Sequence, residues 1–163
     1  MGMIWFGASL LLGLLPVLAF LATLVLLDSY KLVNFRMILR VIVACAVLAF
    51  LAYWVNGYLI TDLGWNQTLY SRYAAPFVEE ALKASVMIFL FRTHRIGFLV
   101  DSAIVGFAVG AGFAAVENIH YFVVLQDDTV SLWIIRGFGT ALMHGSVTAI
   151  MAILAKTCWD RYE

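Results

Sequence analysis

Apolar residues run along this chain in five long blocks, parted by short polar joints. A helix needs about 20 residues to cross the hydrocarbon core of a bilayer. The blocks 3–27, 36–60, 73–92, 98–125 and 132–155 are each long enough for one crossing. The joints "DSYKLVNFR", "TDLGWNQTLYSR", "RTHRIG" and "LQDDTVS", with the tail "KTCWDRYE", hold most of the charge. No linker, low-complexity segment or internal repeat interrupts the pattern. It predicts an all-α fold, a polytopic membrane helix bundle with about five transmembrane helices, in a single transmembrane domain over 1–163. The first block superficially resembles a signal peptide. It lacks a basic leading segment, runs past the usual apolar length and shows no small-x-small cleavage site, so it is expected to stay as the first span.

Composition supports the membrane assignment. The chain is 64% apolar and 12% charged, against roughly 45–50% and 25% in soluble domains. Ten basic and ten acidic residues leave no global field to attract nucleic acid, so position matters more than sum. Lys31, Arg36 and Arg40 flank the first joint, Arg92 and Arg95 the third, and Lys156 and Arg161 the tail. With five crossings these regions share one side, which places the N-terminus outside and the C-terminus in the cytoplasm. The expected location is the cell membrane. Cys45 and Cys158 fall at different depths, and no CxxC or Cys/His zinc spacing exists, so both are expected to be inert thiols.

What changes the picture is charge inside the apolar blocks. "AAPFVEEALKASVMIFLF" puts Glu79, Glu80 and Lys83 into the third block. A charge near the bilayer centre costs roughly 2.5–3.5 kcal/mol on insertion scales, so these groups should face protein or trapped water. The lysine is i,i+4 to Glu79 and i,i+3 to Glu80, and can pair with either. The fourth block buries Glu117, Asn118 and His120; the fifth buries His144 and Thr148. At 1.5 Å per residue the paired glutamates lie roughly 10 Å from the outer end, Glu117 roughly 12 Å and His144 roughly 18 Å. They share the outer half of the membrane. Gly106, Gly110 and Ala114 make a small-residue stripe beside Glu117, while Gly137 aligns with His144 and Ala141 with Thr148. Such stripes let helix backbones approach closely in lipid.

These motifs resemble the PrsW-type intramembrane proteases, within the superfamily that includes the CAAX prenyl-protein endopeptidases. The match lies in EExxK (Glu79 to Lys83), FxxxEN (Phe113 to Asn118) and a histidine on the next span, His144. The resemblance covers about residues 76–148 and implies a membrane endopeptidase. In the CAAX branch it implies a paired-motif glutamate that activates water and a histidine that stabilises the oxyanion. That branch carries histidine where this chain has Glu117. The resemblance also implies the substrate class: a membrane protein cut near the outer face, of the anti-sigma-factor kind.

Peptide hydrolysis needs an activated water, a stabilised oxyanion and a proton for the leaving amine. The expected catalytic set is Glu79, Glu80, Glu117 and His144, with Glu79 as general base and Glu80 as the close alternative. Lys83, Asn118, His120 and Thr148 are the expected supporting residues, Lys83 by holding the glutamate pair ionised. Glu80, Glu117 and His144 also make an acceptable zinc shell with one position open for water, while the same residues can work without metal as a glutamate–histidine pair, so zinc is the cofactor to test. Expected partners are a membrane-protein or peptide substrate and the lipid bilayer, with no nucleic acid; a homo-oligomer stays open. Two other readings compete. A non-catalytic scaffold or immunity-type protein could keep the polar cluster for packing. An ion carrier would need polar access from both sides, yet the inner half of spans three to five is nearly all apolar below Asp101.

Overall fold

The structure is a computed structural model that describes residues 3–28, 33–62, 64–125 and 129–162. Lys31, used above for orientation, lies outside the described residues, as do Asp127 and Asp128 of the fourth joint. Five long helices follow one another, with no strand among the described residues. They are α1, Met3–Leu27; α2, Phe35–Thr61; α3, residues 67–92; α4, Leu99–Leu125; and α5, Val130–Tyr162. Four of them, all but α3, are long and apolar enough to cross a membrane. α3 is the exception because Glu79, Glu80 and Lys83 sit in its middle.

Helix ends follow local chemistry. Asn34 caps α2, its side chain accepting from Arg36 N–H at 3.0 Å, and Asn66 caps α3 by accepting from Leu69 N–H at 3.0 Å. This second cap starts α3 at Gln67, six residues before the apolar block, because the cap and not hydropathy sets the boundary. Asp101 folds back on the start of α4 and accepts from Phe98 N–H at 3.0 Å.

Two helices contain π-helical segments. In α3 it is Tyr70–Ala74, just ahead of Pro76. Proline has no N–H to donate and its ring presses on the preceding turn, so the turn widens. In α5 it is Ile135–Ala141, which holds Gly137 and Gly139. α1 meets it with a matching feature. Pro16 cannot bond the Leu12 carbonyl, and that carbonyl faces Gly137 so closely that a Cβ there would collide with it.

α4 is the central helix: 72% of its crossing segment is buried, against 18–28% in the other three. Lipid offers no hydrophobic drive between helices, so close backbone approach must supply the packing. Gly106 and Gly110 do this against α5. A Cβ on Gly106 would sit 2.6 Å from Ala152 Cβ, and one on Gly110 would collide with the His144 carbonyl. Gly112 does the same for α2, where a Cβ would lie 2.6 Å from the Ile42 carbonyl oxygen. The stripe of α4 therefore packs as its spacing implies. Gly137 does not share the face of His144, however. It packs on α1, because the π segment between residues 137 and 144 breaks the seven-residue alignment of a regular helix. Cys45 is a buried free thiol on α2 and Cys158 an exposed one on α5.

Candidate active site

α3, α4 and α5 bring their buried polar groups to one place. His144 Nε2 lies 2.7 Å from Glu117 Oε2, joining α5 to α4. Lys83 Nζ reaches His144 Nδ1 at 3.1 Å and Glu80 Oε1 at 2.7 Å, joining α3 to α5. Lys83 is 1% exposed and sits over the Phe113 ring, 5.1 Å from its centroid. Counting residues from assumed helix ends had separated Glu117 and His144 by roughly 6 Å in depth; in the structure they touch. The count treats every turn as a regular α turn, which the π segment of α5 is not.

These contacts settle the tautomer of His144. An ammonium only donates, so Nδ1 must accept from Lys83, and the ring proton is left on Nε2, where it donates to Glu117. Glu117 has a second cation as well, with Arg136 Nη2 at 3.3 Å from Oε1.

Arg136 escaped the sequence reading. The signal was present, a charge inside an apolar block, of the same kind that exposed Glu79. Its guanidinium donates from Nε to Asn118 Oδ1 at 2.9 Å and stacks on Tyr121, 3.8 Å from the ring centroid. Asn118, 1% exposed, passes the network on by donating to the Gly13 carbonyl of α1 at 2.8 Å. Breaking one side of a buried ion pair costs 3–5 kcal/mol. Glu117 keeps His144 and some exposure, so Arg136→Met is expected to cost on the order of 2 kcal/mol, read as thermal unfolding in detergent. Arg136→Lys should recover only part of this, because one ammonium cannot span Glu117 and Asn118 as the fork does.

The remaining predicted residues divide. Glu79 faces the space beside Glu117, with no hydrogen bond or ion pair tying it among the described residues. Glu80 is exposed and held by Lys83. Thr148 donates to the His144 carbonyl of its own helix at 2.7 Å, so its proton is not aimed at the site. His120 stacks on Tyr53, with ring centroids 4.3 Å apart, and borders a cavity that Glu79 and Glu117 also line.

Two cavities open on this cluster. One of about 370 Å³ lies between α3 and α5 and includes Glu79, Glu80, Glu117 and His144 in its wall. The other, of about 560 Å³, lies between α2, the start of α3, and α4. Glu79 and Glu117 border both.

Fold and site together define a polytopic membrane protein with a carboxylate–histidine centre held between its helices. The model of the PrsW family of intramembrane metalloproteases matches residues 29–161, and the chain belongs to that family. It is thus, at family level, an intramembrane protease. No curated protein and no solved structure matches the chain significantly.

The family description implies a divalent metal ion. The donor set as arranged does not fit one. Among the described residues no three His, Cys, Asp or Glu side chains converge on a point a metal could occupy. Glu80 is turned to Lys83, and the imidazole lone pair of His144 is already taken by the same ammonium.

Proposed function

We propose that this protease cuts a single-span membrane protein near the outer membrane face, with Glu79 as the base that activates water. The position of Glu79 carries the reading. It borders both cavities beside Glu117, while its neighbour Glu80 is engaged by Lys83.

The roles follow from the contacts. Glu79 takes a proton from water as the oxygen attacks the scissile carbonyl carbon. Glu117, held by Arg136 and His144, accepts the second hydrogen of that water and orients it. His144 Nε2–H can turn from Glu117 to the oxyanion, since Arg136 stays on Glu117. Lys83, donating to Nδ1, makes that N–H a stronger donor. The protonated Glu79 then passes its proton to the departing amine, the C–N bond breaks, and the carboxylate is restored.

Substrate would be found by comparing new peptide termini in membranes that hold the wild-type protein or Glu79→Gln. At least one single-span protein should be cut only by the wild type. Identical sets of termini would sink the reading in favour of a non-catalytic scaffold.

Orientation belongs to the same proposal. Arg36, Arg40, Arg92, Arg95 and Arg161 lie towards one end of the bundle, which makes the end where α2 stops and α3 starts the outer one. A cysteine placed at Thr93, with the native cysteines removed, should therefore be labelled only from the cytoplasm. Labelling from outside would reverse the topology.

Because the donors are engaged with one another, the protein should turn over without a bound metal. Purified protein is expected to hold well under one equivalent of zinc and to keep its activity after chelation. About one equivalent of zinc, lost in His144→Ala together with activity, would show that the lysine–histidine contact opens to admit a metal.

A further inference from the structure

We propose that the larger cavity binds the polar segment of the substrate flanking the scissile bond, held extended and unwound. This rests on the protease reading and adds to it where, and in what form, the substrate lies.

In this reading the two neighbouring cavities are arms of one cleft. Both include Ser71, Ala75, Glu79, Glu117 and Tyr121, so they meet at the carboxylates. Beyond that junction their linings differ. The smaller arm, between α3 and α5, sets Pro76, Met143 and Val147 beside Glu80, Thr140 and His144. The larger arm runs towards the end of the bundle where α2 stops, past Asn56, Gln67, Tyr70 and His120. Its volume of about 560 Å³ falls in the range of ligand sites.

Hydrolysis requires a carbonyl freed from its helical hydrogen bond. Peptide groups unwound at membrane depth need partners, because lipid supplies none. The larger arm has them. Asn56 Oδ1 accepts the Tyr70 hydroxyl at 2.6 Å, which fixes both side chains and leaves the two amide N–H donors of Asn56 for a ligand. Gln67 adds a further amide, and His120, stacked on Tyr53, a polar ring edge. A wall of this kind recognises backbone and short polar side chains.

Gly57 supplies the test, since it borders the larger arm alone and a Cβ there meets nothing within 4 Å. Gly57→Trp should add bulk at the wall of that arm, from a position where a Cβ has open space. The probe is a fluorogenic reporter carrying the span and polar flank of the single-span protein cut in wild-type membranes, with a second reporter lacking the flank. Gly57→Trp should raise KM for the flanked reporter by about tenfold or more and change that of the short one by less than about twofold. Asn56→Leu, which removes the donors without adding bulk, should show the same split if the tryptophan variant fails to fold. Variants that affect both reporters alike, or neither, overturn the inference and leave the protease reading standing. If the wild type cuts no membrane protein, the reading and the inference fall together.

Discussion

Glu79→Gln is expected to lower kcat by about 10²–10⁴-fold at every pH, the range lost when a positioned general base is removed. An amide cannot accept the proton of the attacking water, so no change of pH restores the role. The fold should survive, because no hydrogen bond or ion pair ties Glu79 among the described residues. The change also replaces a charge within the membrane by a neutral group of the same shape, which eases insertion. Glu80→Gln is the informative companion. It removes the charge that pairs with Lys83, leaving an ammonium that is 1% exposed hydrogen-bonded to neutral acceptors alone, the new amide oxygen and His144. Its expected signature is lower stability with a smaller fall in kcat. Turnover by Glu79→Gln at the wild-type rate would defeat the assignment. If Glu80→Gln is the dead variant and Glu79→Gln the unstable one, the two glutamates exchange roles.

Gly110→Ala should damage both the fold and the activity. The new Cβ would fall inside the contact distance of the His144 carbonyl and lie 2.7 Å from Gly145 Cα. Both are backbone atoms, so no side chain can rotate away and α4 and α5 must part. Overpacking of this kind costs about 1–3 kcal/mol. The catalytic effect should be larger than the stability loss suggests, because the backbone that is displaced carries His144. A shift near 1 Å in a positioned group can cost about a hundredfold in rate. Gly7→Ala is the control, since a Cβ there meets nothing within 4 Å. It should leave unfolding and kcat unchanged. Near-wild-type activity in Gly110→Ala would mean that the α4–α5 contact does not set the position of His144.

Two kinds of information meet in this site. The helices were legible in the sequence because bilayer thickness imposes a length and lipid imposes apolarity, and both are local properties of the chain. The buried charges were legible for the complementary reason: a carboxylate in an apolar block is costly wherever its partner lies. Glu79, Glu80, Glu117 and His144 could therefore be named before any helix was placed beside another. The spacing of Gly106 and Gly110 likewise showed a close-packing face, since a regular helix fixes which residues share it.

Partner choice was not legible. Spacing allowed Lys83 to bond either glutamate, and only the arrival of α5 decided it. With His144 Nδ1 at 3.1 Å the lysine turns to Glu80 and leaves Glu79 facing the cleft. The same contact fixes the tautomer of His144, which no sequence carries. Thr148 aligns with the site in projection yet bonds its own helix, because the His144 carbonyl lies one turn away. Gly137 moves to α1 and Arg136 turns inward to Glu117 from a π segment whose offset no α-helical periodicity predicts. The sequence by itself determined which residues needed company inside the membrane, because burial has a price set by chemistry alone. Which residue keeps company with which was decided only by tertiary structure, because hydrogen bonds act over about 3 Å and depend on the rotation of each helix against the next.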